Sequence, residues 1–177
     1  MVQSMEQRIE HTAKSDLSYK IIPVKPTFLQ RVRELGVDDQ GQAVEHLIAR
    51  GGEPCRDSLH RATAGEELIL ASYCPFEVAG PYKEYGPIFI RAHEHEHQNT
   101  QVRPQYLPGL IAQHYLGQQF VLRAYSAQER IVDACLTTPL QCEDDLQSLL
   151  AKQEVEFVLV RFPAYGCYAC RIERVSS

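Results

Sequence analysis

Histidines and glutamates alternate in the run His93-Glu94-His95-Glu96-His97, directly after the strand-like segment PIFIRA. Strand side chains point to opposite faces in turn. A strand carried on through this run sets the three imidazoles on one face and the two carboxylates on the other. Three imidazoles on one face suit zinc, copper or iron and leave a coordination position open. His93, His95 and His97 are therefore the candidate metal ligands, and a divalent transition metal is the cofactor they would take. The competing reading ends the strand and makes the run a hydrated loop; the polar residues that follow favour it.

Thiols and guanidinium groups supply the other chemistry. Cys167-Tyr168-Ala169-Cys170 is a C-x-x-C pair, redox active where its first thiolate caps a helix. The residues after it, RIERV, alternate like a strand, which sends the two sulfurs to opposite faces unless Gly166 to Tyr168 forms a tight turn. Cys55 and His60 would complete a four-ligand zinc set with this pair, against two packed thiols as the simpler alternative. Cys55 or Cys167 could act as a nucleophile, with Arg56 or Arg171 favouring the thiolate and a histidine as base. No G-x-S-x-G, Walker A or G-x-G-x-x-G pattern accompanies them. Arg56, Arg91, Arg123, Arg161 and Arg171 recur beside strands and turns, and a guanidinium fork matches a carboxylate or phosphate. Each of them also has 23 acids in the chain to pair with instead.

The elements that must position these groups follow from size and pattern. A chain of 177 residues, 44% apolar and 23% charged, can bury one core without staples. Its net charge of -5 argues against a surface built to grip nucleic acid. No segment reaches the roughly 20 apolar residues of a membrane span. The first residues lack the apolar core of a secretory signal, so six reduced thiols and a cytoplasmic location are expected.

Residues 1–16 read as a loose N-terminal arm and 17–177 as a single domain. SYKIIPV predicts a strand, followed by a helix capped by Thr27 with Gln30 completing a capping box and Gly36 as its stop. Asp38 is expected to cap a second helix carrying Val44, Leu47 and Ile48 on one side and ending at Gly51. ELILASY and PIFIRAH are strands joined by a long connection rich in proline and glycine. A short helix after Pro108, running toward Gly117, precedes a hairpin of QFVLRAYS and RIVDACL. Thr138 is expected to cap a helix with Pro139 in its first position, acids near its positive end and a Leu146, Leu149, Leu150 stripe. VEFVLVRF and CYACRIERV close the chain as a second hairpin. Without regular βαβ alternation, the fold expected is α+β, mainly antiparallel sheet with several short helices.

Taken in order, Pro54-Cys55-Arg56 with Leu59, Gly65-Glu66-Glu67, Pro81-Tyr82, Ile88-Phe89, Arg123, Asp133 and Gly166-Cys167-Tyr168-Ala169 with Arg171 and Arg174 resemble the bacterial DUF1203 family. The resemblance runs from about Tyr19 to the end of the chain. It implies no activity, because the family has none assigned, but Cys55, Arg56, Tyr82, Arg123, Cys167 and Arg171 fit its recurring pattern. The three-histidine run is not a family feature, Cys170 replaces a small residue, and Phe162-Pro163 stands where the family shows His-Asn. The function expected is binding of a small anionic molecule by those six residues. Their pocket would be formed by the Pro54–Arg56 turn, the Pro81–Tyr82 loop and the C-terminal hairpin. An enzyme using a cysteine nucleophile or the three-histidine metal site is the alternative, and a non-catalytic protein-interaction module is the third reading.

Overall fold

The computed structural model describes residues 17–94 and 104–175 of the chain. Its strands are β1 (Tyr19–Ile22), β2 (Glu45–Ile48), β3 (Pro54–Cys55), β4 (His60–Arg61), β5 (Glu67–Tyr73), β6 (Gly86–Arg91), β7 (Phe120–Tyr125), β8 (Ile131–Thr137), β9 (Phe157–Arg161) and β10 (Tyr168–Arg174). Its helices are α1 (Pro26–Gln30), which continues as a π-turn over Arg31–Leu35, then α2 (Leu107–Ala112) and α3 (Cys142–Leu150). Two five-stranded sheets result, ordered β1-β10-β9-β7-β8 and β2-β5-β6-β3-β4. Every pairing is antiparallel except the short contact of β3 with β6. The fold is α+β, as the mixed element order predicts.

Alternation along the strands of the first sheet builds two apolar faces. Leu122, Val158, Val160 and Ile172 share one core with Leu107 and Leu110 of α2 and Leu146, Leu149 and Leu150 of α3. On the other face Tyr125, Phe157 and Leu159 pack with Ile69, Ala71, Ile88 and Ile90 of the second sheet, and with Phe28 and Val32. The order of layers is therefore helices, sheet, sheet. A smaller cluster of Ala49, Cys55, Ala62 and Leu68 belongs to the outer side of the second sheet. A register shift between Tyr168 and Cys170 breaks the alternation of β10. Tyr168 turns into the layer between the sheets, while Ala169 and Cys170 both face the helices.

Several local expectations are corrected. The stretch after Asp38 is not a helix: Glu45–Ile48 is a strand, because its backbone pairs with β5 from Glu45 opposite Leu70 to Ile48 opposite Glu67. The Asp38 carboxylate instead accepts backbone N–H groups from Gln40, Gln42 and Ser72, at 2.9, 2.9 and 3.2 Å. This ties a turn to β5 rather than starting a helix. α1 begins at Pro26, with Lys25 before it and no side-chain cap, so Thr27 lies inside the helix. Proline suits the first turn because that N–H has no partner in a helix anyway. Gly36 does end the segment, at φ 64°. α2 stops at Ala112, short of Gly117. α3 begins at Cys142 because the Thr138 carbonyl closes a turn onto the N–H groups of Gln141 and Cys142 first.

One backbone position fixes the turn that carries Arg56. Leu59 has φ 59°, a conformation that costs a non-glycine residue on the order of 1 kcal/mol. Its side chain is 2% exposed and belongs to the helix-side core. Its N–H donates to the Cys55 carbonyl at 2.8 Å, and its own carbonyl accepts from the Gln113 side chain. Core burial outweighs the backbone cost and pins the β3–β4 turn. Leu59→Ala is expected to lower stability by about 2–5 kcal/mol, the range for a buried leucine truncated in place. Urea unfolding checks this, and a loss under about 1 kcal/mol contradicts the anchoring role.

Candidate ligand-binding groove

A groove of about 580 Å³ opens on the outer side of the second sheet. Its floor is Leu70, Pro87 and Phe89, and the pairing of Leu70 with Phe89 puts those two side chains on the same face of β5 and β6. Pro54 and Arg56 form one wall, with Arg61 of β4 beside them. The β9–β10 turn supplies the opposite wall through Phe162, Pro163, Ala164, Tyr165 and Cys167. That turn is closed by the Phe162 N–H on the Cys167 carbonyl at 3.0 Å and the Gly166 N–H on the Phe162 carbonyl at 2.8 Å. Gly166 sits at φ 69°, which glycine adopts without steric cost.

Arg56 joins the two walls. It is 3% exposed, yet its Nε donates to the Tyr168 carbonyl at 2.8 Å and its Nη1 to the Pro54 carbonyl at 2.6 Å. Its guanidinium carbon lies 5.2 Å from the Phe162 ring centre, and that of Arg61 lies 5.7 Å from the same ring. Arg61 donates to the carbonyls of Gly52, His114 and Tyr115, at 2.6, 3.1 and 3.0 Å. Phe162 is held in turn by an edge contact with Tyr115, 5.7 Å between ring centres. Among the described residues neither arginine has a carboxylate within ion-pair distance, and no Asp or Glu lines the groove. Carbonyl dipoles satisfy the guanidinium donors in part but leave both positive charges in place.

The six positions singled out in the sequence fall into two places. Arg56 and Cys167 line the groove, with Cys55 directly behind it in the small outer cluster. Arg171 and Arg123 lie elsewhere, both in register with Leu159, on the face of the first sheet turned toward the second sheet. The Arg171 guanidinium rests 3.5 Å from the centre of Phe157, which stacks on Tyr125 at 5.1 Å. Arg171 also pairs with Glu173 at 2.6 Å, and Arg123 hydrogen-bonds Tyr125. Tyr82 is 40% exposed beneath Arg130 and does not line the groove. Its connection is tied to β9 instead through Glu84, which pairs with Arg161. Arg61 and Phe162 were not among the expected binding residues. The spacing of Arg56 and Arg61 about a tight turn was the available signal, and the pairing of Pro54 with Arg61 explains it.

The metal and thiol readings meet the same geometry. β6 ends at Arg91, so the strand needed to align the imidazoles stops before His93. The exposed His93 ring lies 2.8 Å from the Glu67 carboxylate, while His95 and His97 lie outside the described residues. Among the described residues no three His, Cys, Asp or Glu side chains converge as a metal site. The set of Cys55, His60, Cys167 and Cys170 is therefore not assembled, since Cys170 faces the helix-side core and Cys167 the groove. Cys55 is fully buried. Desolvation, with Asp57 adding to it, pushes its thiol up to about 12, which disfavours it as a nucleophile.

These thiols predict a pH response. Cys55 and Cys142 hold their protons to about 12 and about 11, against 9.0 when freely solvated. The folded state thus binds these protons more tightly than the unfolded state. Its stability is complete below pH 9 and falls as pH rises through 11 and 12. The urea midpoint is expected to fall between pH 8 and pH 10.5, values set about the unfolded thiol range. Cys55→Ala should blunt the fall, and a midpoint unchanged across that interval contradicts the linkage. At the lower pH iodoacetamide should label the partly exposed Cys135 and Cys167 and spare Cys55 and Cys170.

Comparison with curated proteins and with solved structures finds no match. The model of one protein family, described as "Protein of unknown function (DUF1203)", matches residues 52–174. The match begins at the turn leading into β3, later than the resemblance traced from Tyr19, and takes in every residue that lines the groove. With more than half of its length matched, the chain belongs to the DUF1203 family.

Proposed function

We propose that this protein binds a small anionic molecule in the groove between the β3–β4 turn and the β9–β10 turn. One observation carries the reading: two guanidinium groups flank the Phe162 ring, with no carboxylate partner among the described residues. Arg56 is buried and Arg61 is exposed beside it. A buried charge is normally paired, so a buried cation left without a carboxylate next to a second cation favours an anion from outside. Cys55 serves as packing behind the groove, Arg123 and Arg171 lie against the aromatic residues of the first sheet, and Tyr82 is exposed beneath Arg130. The protein-interaction reading has less support, because the charge pattern is concentrated in a concave site rather than on a flat surface.

Cys167 provides an internal reporter. Iodoacetate is an anion and iodoacetamide its neutral counterpart, so their rate ratio at one thiol measures the local potential. At low salt the ratio at Cys167 is expected to exceed that of N-acetylcysteine by about threefold or more, and to shrink as salt rises. Arg61→Gln should reduce the excess, with Arg61→Lys retaining more of it. Peptide mapping by mass spectrometry gives the rates, and continued protection of Cys55 certifies that each variant is folded. A ratio equal to that of the free thiol in the parent protein overturns the anion site.

A further inference from the structure

We infer that the ligand is an amphipathic monoanion: a single carboxylate on a flat or extended apolar body, rather than a compact polyanion such as phosphate. The inference rests on the anion-binding reading above and narrows its chemical class. Three features carry it.

The first is the supply of donors. A guanidinium has five N–H groups. Arg56 already spends two of them on carbonyls and Arg61 three. The planar fork that remains at Arg56 matches the two oxygens of a carboxylate. Among the described residues no lysine lines the groove, and neither does the N-terminus of a helix, the two features that phosphate sites usually add.

The second is the rest of the surface. Leu70, Pro87 and Phe89 on the floor and Phe162, Pro163 and Ala164 on the wall make the lining beyond the guanidiniums largely apolar. A multiply charged ion placed there loses water that these side chains cannot replace, whereas an apolar body gains by the same contact. The third is size. About 580 Å³ lies in the usual range for sites that enclose an organic ligand and far exceeds what an inorganic anion needs. The cations sit against Phe162, so the charged head is placed at the aromatic edge of the groove and the body over Leu70 and Phe89.

Protection of Cys167 from iodoacetamide in the intact chain tests this, with Cys135 on β8 as the internal control and isothermal calorimetry as the direct readout. The probes are 2-naphthoate, octanoate, the neutral isostere 2-naphthalenemethanol, phosphate and citrate. Both carboxylates are expected to slow labelling of Cys167 and leave Cys135 unchanged. The neutral alcohol should bind about tenfold more weakly than 2-naphthoate, the equivalent of one charge-assisted hydrogen bond. Phosphate and citrate should give neither protection nor heat. Arg56→Lys, with Cys55 still protected, should weaken 2-naphthoate by a similar factor.

If phosphate or citrate binds and protects while the naphthoate does not, the amphipathic class is wrong and the anion site stands. If the alcohol binds as tightly as the naphthoate, the groove is merely apolar and both readings fall. No binding by any of the five probes also overturns both.

Discussion

Arg56 is the interaction on which the rest of the arrangement depends. It leaves the second sheet at the end of β3 and spends its Nε hydrogen bond on the carbonyl of Tyr168, the first residue of β10 in the first sheet. Bonds between sheets are normally made by apolar side chains interlocking, and this one is made by a buried cation on a backbone carbonyl. Burying a guanidinium without a carboxylate is tolerable only where several oxygen dipoles face it, and the carbonyls of Pro54 and Tyr168 do so. The neighbouring Phe162 ring adds its negative face at 5.2 Å. The geometry of the β9–β10 turn relative to β3 therefore follows from one side chain, and the groove is the space left between the two.

Support for that side chain comes from residues with no chemistry of their own. Leu59 accepts an unfavourable backbone conformation because its side chain reaches the helix-side core, and this holds the β3–β4 turn in place. Tyr115 is fully buried, donates to the Ala169 carbonyl at 3.0 Å and meets the edge of Phe162. Arg61 satisfies the carbonyls of His114 and Tyr115 while it flanks the same ring. The segment after α2, the turn after β3 and the turn after β9 are thus cross-linked by polar bonds around one phenylalanine. Side chains held by this many independent contacts are preorganised, which would reduce the ordering cost of the binding proposed above.

Much of this was legible in the residues, and the failures have physical causes. The β5, β7, β8, β9 and β10 segments are short, largely apolar runs bounded by turn residues, and each forms a strand where that run stands. The stretch from Asp38 to Gly51 misled because Val44, Leu47 and Ile48 fit a helical spacing equally well, and only pairing with β5 decides between the two. The choice of Arg56 and Cys167 came from turn residues matching a family pattern, and both line the groove. Arg171 and Arg123 share the residue type but face the aromatic layer between the sheets, a distinction set by strand register and not by composition. Phe162 stood out in the sequence only as a departure from the family pattern, whereas in the fold it is the ring that both groove arginines share.

The register shift in β10 has a consequence for how this hairpin can vary. Because Ala169 and Cys170 both face the helices, the parity of the strand is reset after the β9–β10 turn has ended. The inward and outward assignment of Arg171 to Arg174 is then fixed by their pairing with β9 and β1 beyond the shift. The exposed residues 163–166 can change without disturbing that pairing, whereas Phe162 at the base of the turn packs against the helix-side core. Only the tip of the groove's wall is free of the layers beneath, so across a family the recess could be re-tailored there while Phe162 keeps its packing.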